Sequence, residues 1–235
     1  AGVQRRAGMC GRFGCTRLAA LLAMISASLA CYPDGHFDHV KRVLHLDDLN
    51  SFVRSKTGSG VALFVRWIGS ESSECCKRQA SAWTHVTRAY RDNPLIAFGD
   101  INLEDPSEPD GSSFTVRYFT NETSIKGVQC PRSTKGAFCE EMAEVELAQH
   151  CVESISGQAL CHADGSGACS ERQAAFLGRW GSRGLVELSR ELERLTRIIM
   201  EQRQSAKAAA SAMMWADLLT QLIQASPTGG ASGEL

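Results

Sequence analysis

Cys75 and Cys76 stand side by side at the start of an amphipathic stretch. They follow a polar loop and, before it, the apolar run Val61-Ala62-Leu63-Phe64-Val65-Arg66-Trp67. A thiol so placed can exchange with disulfides, but only as its thiolate, so neighbouring charge decides its reactivity. Here the neighbours are divided. Glu71 and Glu74 oppose ionisation of Cys75, Lys77 and Arg78 favour it, and the sign of the net effect stays open. A bridge between the two adjacent cysteines would close a strained ring, far from relaxed disulfide geometry. Three readings therefore stand: thiol exchange through Cys76 or Cys75, metal ligation, or burial of one sulfur as a small apolar group while the other pairs elsewhere.

A second concentration of ligand-type residues comprises His150-Cys151, Cys161-His162 and Cys169. These could bind zinc, but their spacings match no tight metal knuckle, and an oxidising compartment favours disulfides instead. Cys130–Cys139 and Cys161–Cys169 are the preferred short-loop pairs, out of on the order of a hundred pairings open to eight cysteines. No metal and no cofactor is assigned. His85 reads as a surface histidine on the helix that Cys76 opens. The sequence carries no phosphate-cradling glycine motif, no Gly-x-Ser-x-Gly elbow and no His-Glu-x-x-His pair.

The composition is that of an ordinary globular protein: 235 residues, 43% apolar, formal charge −1. Nothing global draws it to nucleic acid or an anionic membrane. Arg12 and Arg17 precede an apolar segment, residues 18–29, that ends in Ser28-Leu29-Ala30, a small-x-small pattern. This reads as a secretory signal peptide over 1–30, with Met9 as a start and residues 1–8 upstream of it. No later run approaches the ~20 apolar residues of a transmembrane helix, so the mature chain is expected to have no membrane span. Loss of 1–30 removes four of the 25 basic residues and none of the 26 acidic ones, so the net charge becomes −5. Cys10 and Cys15 also go, leaving eight of the ten cysteines, an even number suited to an oxidising lumen. Asn121-Glu122-Thr123 is a glycosylation acceptor in the same setting, at Asn121. The terminal Glu234-Leu235 shares its last two residues with an endoplasmic-reticulum retrieval signal.

The elements that must hold these residues follow from periodicity. Residues 39–54 read as a short strand and a helix, and 61–67 as a strand buried on both faces. Cys76, Gln79, Ala80, Trp83, Val86, Thr87 and Tyr90 recur at helical spacing until Asn93-Pro94 stops them. Residues 95–103 and 114–119 are further strands, separated by a turn-rich connection, and 121–126 form a hairpin turn into Val128. One helical stretch lies between Cys139 and Cys151. Ser170 with Gln173 forms a capping box for a helix through Trp180, and two more apolar stripes, Leu185 to Ile199 and Trp215 to Ile223, mark core-packing helices. The expected organisation is a signal segment 1–30, an α/β domain 31–129 with a mixed sheet flanked by helices, a Cys-rich connection 130–169, a helical C-terminal domain 170–225 and a tail 226–235, the part after the sheet being a small all-α region stapled by disulfides in 130–169.

On residues 61–67, Cys76-Lys77-Arg78 with Trp83 and Tyr90, the strand from Ile96 to Leu103, and Thr115-Val116-Arg117-Tyr118-Phe119, the chain resembles the protein disulfide isomerase branch of the thioredoxin superfamily. The likeness runs from residue 39 to residue 128, and the C-terminal helices resemble the small helical domain that some lumenal members append. The resemblance implies a thioredoxin-like fold and a helix-capping dithiol whose first cysteine attacks and whose second resolves. Cys76 matches the second, and Ser73 occupies the place of the first. A serine cannot exchange with disulfides, so the two-thiol cycle is lost, and this missing partner weights the reading of Cys75 and Cys76 toward burial and pairing. The family's groove-shaping cis-proline is replaced by Phe114, before Thr115, so the substrate groove, lined also by Trp67, is altered. Ser81 stands where the helix often has a kinking proline. Two functions follow as expectations. One is a protein of the endoplasmic reticulum or another secretory compartment that assists folding or thiol-disulfide handling of client proteins with weakened chemistry. The other is a redox-inactive thioredoxin-fold module that holds a protein partner.

Overall fold

The structure is a computed structural model and describes residues 31–102, 114–201 and 206–226. The signal segment 1–30, the turn-rich connection and residues 227–235 of the tail lie outside the described residues.

Five strands form one mixed sheet: β1 (Lys41–Val43), β2 (Ala62–Trp67), β3 (Ile96–Ile101), β4 (Thr115–Phe119) and β5 (Val128–Gln129), in the spatial order β1-β3-β2-β4-β5. β2 is central. It pairs in parallel with β3, from Ala62 opposite Ile96 to Trp67 opposite Ile101, and antiparallel with β4, from Leu63 opposite Phe119 to Trp67 opposite Thr115. All six β2 residues are buried, as the continuous apolar run requires of a strand covered on both faces. Alternation then sorts its side chains. Phe64 joins Phe98, Val116, Trp83, Val86 and Tyr90 on one face, while Leu63, Val65 and Trp67 join Val43, Leu49, Phe52 and Phe119 on the other.

The covering helices are α1 (Leu46–Thr57) on the second face and α2 (Glu74–Ala89) with α4 (Val145–Ser156) on the first. α2 runs unbroken through Ser81. The helical stretch expected between Cys139 and Cys151 is two helices, α3 (Phe138–Glu141) and α4. The Glu141 carboxylate is drawn back into the preceding loop, where it accepts from the backbone N–H of Ser133 (3.0 Å) and Thr134 (2.7 Å). The β4–β5 turn needs Gly127, with φ +64°, because a Cβ there would lie 2.6 Å from the Phe119 ring.

The helical region has its own core. α5 (Glu171–Trp180) begins at the Ser170–Gln173 capping box, both halves of which are made. With α6 (Leu185–Glu201) and α7 (Ala206–Ala225) it buries Leu177, Leu188, Leu195, Leu218, Leu219 and Leu222 around Cys161. Phe176 stacks on Trp215 at 4.4 Å. His150 on α4 bonds Asp217 on α7 at 2.9 Å, tying this core to the sheet. No helix among the described residues is long and apolar enough to cross a membrane.

Candidate functional site

The start of α2 gathers the sulfurs. Ser73 is its N-cap, and the Ser73 Oγ accepts from the Cys76 backbone N–H at 3.1 Å. Serine is among the strongest N-cap residues, so the hydroxyl expected in the place of an attacking thiol is used to hold the helix start. Successive helical side chains project in different directions, so Cys75 and Cys76 face different partners and the strained adjacent bridge does not form. Cys76 points into the core, fully buried, and is joined to Cys31 with a Cα–Cα distance of 5.2 Å. Cys75 lies to the side, half-buried, and is joined to Cys139 on α3 at 5.7 Å.

Two further bridges complete the set. Cys130, just after β5, pairs with Cys151 on α4, and Cys161 pairs with Cys169 across a short hairpin-like loop. The Cys161–Cys169 pair matches the short-loop expectation, whereas Cys130–Cys139 gives way to two longer connections. The chain between Cys130 and Cys139 is turned by the Glu141 contacts so that Cys139 faces α2 and Cys130 stays beneath α4. All eight described cysteines are therefore disulfide-bonded. The zinc-type cluster is dispersed: Cys151 and Cys161 serve separate bridges, His150 pairs with Asp217, and His162 is exposed. Four disulfides fit a protein of the secretory route, where oxidising conditions maintain them.

Trp67, Phe114 and Thr115, expected to line a substrate groove, do come together at one end of β2 and β4, Trp67 directly opposite Thr115. All three are buried. Trp67 stacks on Phe119 and Phe114 packs on Phe138, so they serve as core in this structure. No cis peptide bond occurs among the described residues. Asn121 is exposed in the β4–β5 turn, and His85 is exposed on α2.

Below the cysteines lies a charged cluster that the reading of the sequence did not contain. Asp100 on β3 is opposite Arg66 on β2, and both are fully buried. The carboxylate accepts from Arg66 Nε at 3.2 Å, from Arg66 Nη2, from Trp83 Nε1 at 2.9 Å and from His36 Nε2 at 2.8 Å. His36 Nδ1 lies 3.3 Å from Thr84 Oγ1. The guanidinium also lies against the rings of Trp83 and Tyr32, with its central carbon 5.5 and 5.8 Å from their centroids. Burial alone would raise the Asp100 pKa, but the Arg66 charge and the bonds from His36 and Arg66 outweigh it and hold the carboxyl below the usual range. The signal was present: Arg66 and Asp100 each interrupt an apolar strand pattern, and unpaired charges do not sit there.

Comparison with protein-family models, curated proteins and solved structures finds no match to this chain.

Proposed function

We propose that this chain is a secretory-pathway module of thioredoxin-like build that holds a protein partner and does not run a dithiol catalytic cycle. The observation that carries this reading is the separate commitment of Cys75 to Cys139 and of Cys76 to Cys31. A cycle of attack and resolution needs two thiols that can bridge each other. Here each sulfur at the helix start is a staple to a different segment, and the third position is a capping serine. The thioredoxin-like reading draws support from the mixed sheet with its parallel β3–β2 pair, its antiparallel β2–β4 pair and a cysteine-bearing helix following the central strand.

The helical region supplies a surface for a partner. Val186 and Met200 on α6 are 68% and 57% exposed, and Leu185, next to Val186, is 39% exposed. These exposed apolar side chains at the two ends of α6 are the contacts this reading gives to a partner. Reduction of insulin by dithiothreitol, followed by turbidity with and without the mature protein, tests the reading. The expected rate is the background rate, unchanged when Cys75 and Cys139 are both replaced by serine. Turnover above background that disappears in that double variant would overturn it.

A further inference from the structure

We propose that the Cys75–Cys139 disulfide is the thiol-exchange site of this protein, opened by an external thiol that attacks Cys139 and expels Cys75 as the leaving thiolate. The proposal goes beyond the partner-holding reading and does not rest on it. It concerns a stoichiometric opening by a small thiol or a client cysteine, not turnover.

Access singles out this bridge. Cys31–Cys76 and Cys130–Cys151 are buried at both ends, and Cys161 is buried at one end of the fourth. Cys75 and Cys139 are both partly exposed. Chemistry then assigns the roles. Cys75 lies in the first turn of the 16-residue α2 and Cys139 in that of the four-residue α3; the longer helix has the larger dipole, so its unpaired backbone N–H groups favour the negative sulfur at Cys75. A better-stabilised thiolate leaves faster. Neither Cys161 nor Cys169 lies in a helix.

Gln79 provides the second, independent observation. Its Nε2 donates to Cys75 Sγ at 3.0 Å and to the Cys139 carbonyl at 3.0 Å, so it touches both ends of the bridge. Its side chain is wholly buried, and its Oε1 has no hydrogen-bond partner. A buried acceptor without a donor costs free energy. The oxidised bridge has no S–H to offer it, but a reduced thiol at position 75 does. Gln79 can thus stabilise the departing thiolate through Nε2 and the protonated product through Oε1. Nearby charges do not reverse this, because Lys77 pairs with Glu74 at 3.0 Å and Arg78 with Glu140 at 3.7 Å.

The exchange balances without another reactant. One thiolate forms a mixed disulfide on Cys139 as the Cys75–Cys139 bond breaks. A second attacks that mixed disulfide on its external sulfur and releases Cys139. Two external thiols are oxidised to one disulfide, and their two protons end on Cys75 and Cys139. α3 stays docked through Phe138 against Phe114 and Glu140 against Arg78.

The test exposes the full, folded chain to graded reduced glutathione, followed by acid quenching, maleimide labelling and peptide mass spectrometry. Cys75 and Cys139 are expected to label first, at a thiol concentration at least about tenfold below that which opens any other pair. At partial reduction, glutathione should be found on Cys139 and not on Cys75. Gln79→Leu should slow the opening about fivefold, the worth of one hydrogen bond. Should that variant not fold, the site of glutathione on the unmodified protein still decides the roles. First labelling at Cys161 and Cys169, opening of all four bridges together, or glutathione on Cys75 would each overturn the proposal.

Discussion

Replacing Asp100 by leucine should be among the most damaging single changes in the sheet, and pairing it with Arg66→Met should undo most of the damage. Asp100 takes hydrogen bonds from Arg66, His36 and Trp83, and both side chains of the ion pair are fully buried. Asp100→Leu leaves a guanidinium with no counter-charge in the core and strips an imidazole and an indole N–H of their acceptor. Removing one member of a buried ion pair costs about 3–5 kcal/mol, a large part of the roughly 5–15 kcal/mol that holds a domain folded. Replacing both charges with apolar groups of similar volume is often neutral or stabilising. The double variant should therefore lie within about 2 kcal/mol of the native protein, the remainder being the unpaired His36 and Trp83 donors. Equilibrium urea unfolding at pH 7 with disulfides intact measures all three proteins. Acid adds a second readout. The folded pKa of Asp100 is depressed, so its contribution is full above the ordinary aspartate value of about 3.9 and is lost as the pH falls through the folded value below that. This acid-dependent component should be missing from both variants. A loss under about 1 kcal/mol in Asp100→Leu, or a double variant no more stable than Asp100→Leu, would refute the reasoning.

Gly127→Ala should lower stability by about 1–3 kcal/mol, because the turn needs a positive φ and the Phe119 ring occupies the space of the new Cβ; the shift in urea midpoint measures it. His150 has its pKa raised by the hydrogen bond to Asp217, so its contribution to stability is complete below about pH 6.5 and fades as the pH climbs through the higher folded value. His150→Gln should flatten the stability profile over that window, read by thermal unfolding at a series of pH values. Exposed Asn121, with the Thr123 hydroxyl two places on, should carry a glycan when the chain is made through the secretory route. An electrophoretic shift on enzymatic deglycosylation, absent in Asn121→Gln, is the check.

Local pattern carried far into this fold. The unbroken apolar run 61–67 is the central strand, and helical spacing from Cys76 to Tyr90 is α2, because a strand covered on both faces and a helix covered on one leave those two periods in any sequence. Ser170 and Gln173 are legible for the same reason, since a capping box is complete within four residues. Partnerships between distant segments were not legible. Cys31 meets Cys76 across 45 residues and Cys75 meets Cys139 across 64, and no local rule selects those pairs from the many available. Cys161–Cys169, eight residues apart, was legible because its loop is short. The Asp100 cluster falls between these cases: each charge is an anomaly in its own strand, but only the β2–β3 register shows that the anomalies face each other.

The α2 start also bears on whether a dithiol pair could be introduced there by a single change. Three roles converge there: capping at Ser73, lateral stapling at Cys75 and core stapling at Cys76. A thiol introduced at position 73 would lie one turn from Cys76, the spacing that a resolving pair requires. It would still not resolve, because the Cys76 sulfur is joined to Cys31 inside the core and has no contact with solvent. The same change would replace the hydroxyl that accepts the Cys76 N–H, at a cost of about 1 kcal/mol to the helix. A dithiol cycle and the Cys31 staple make incompatible demands on one sulfur. In this chain that sulfur is committed to the staple, and of the two bridges at the α2 start it is Cys75–Cys139 whose sulfurs belong to partly exposed residues.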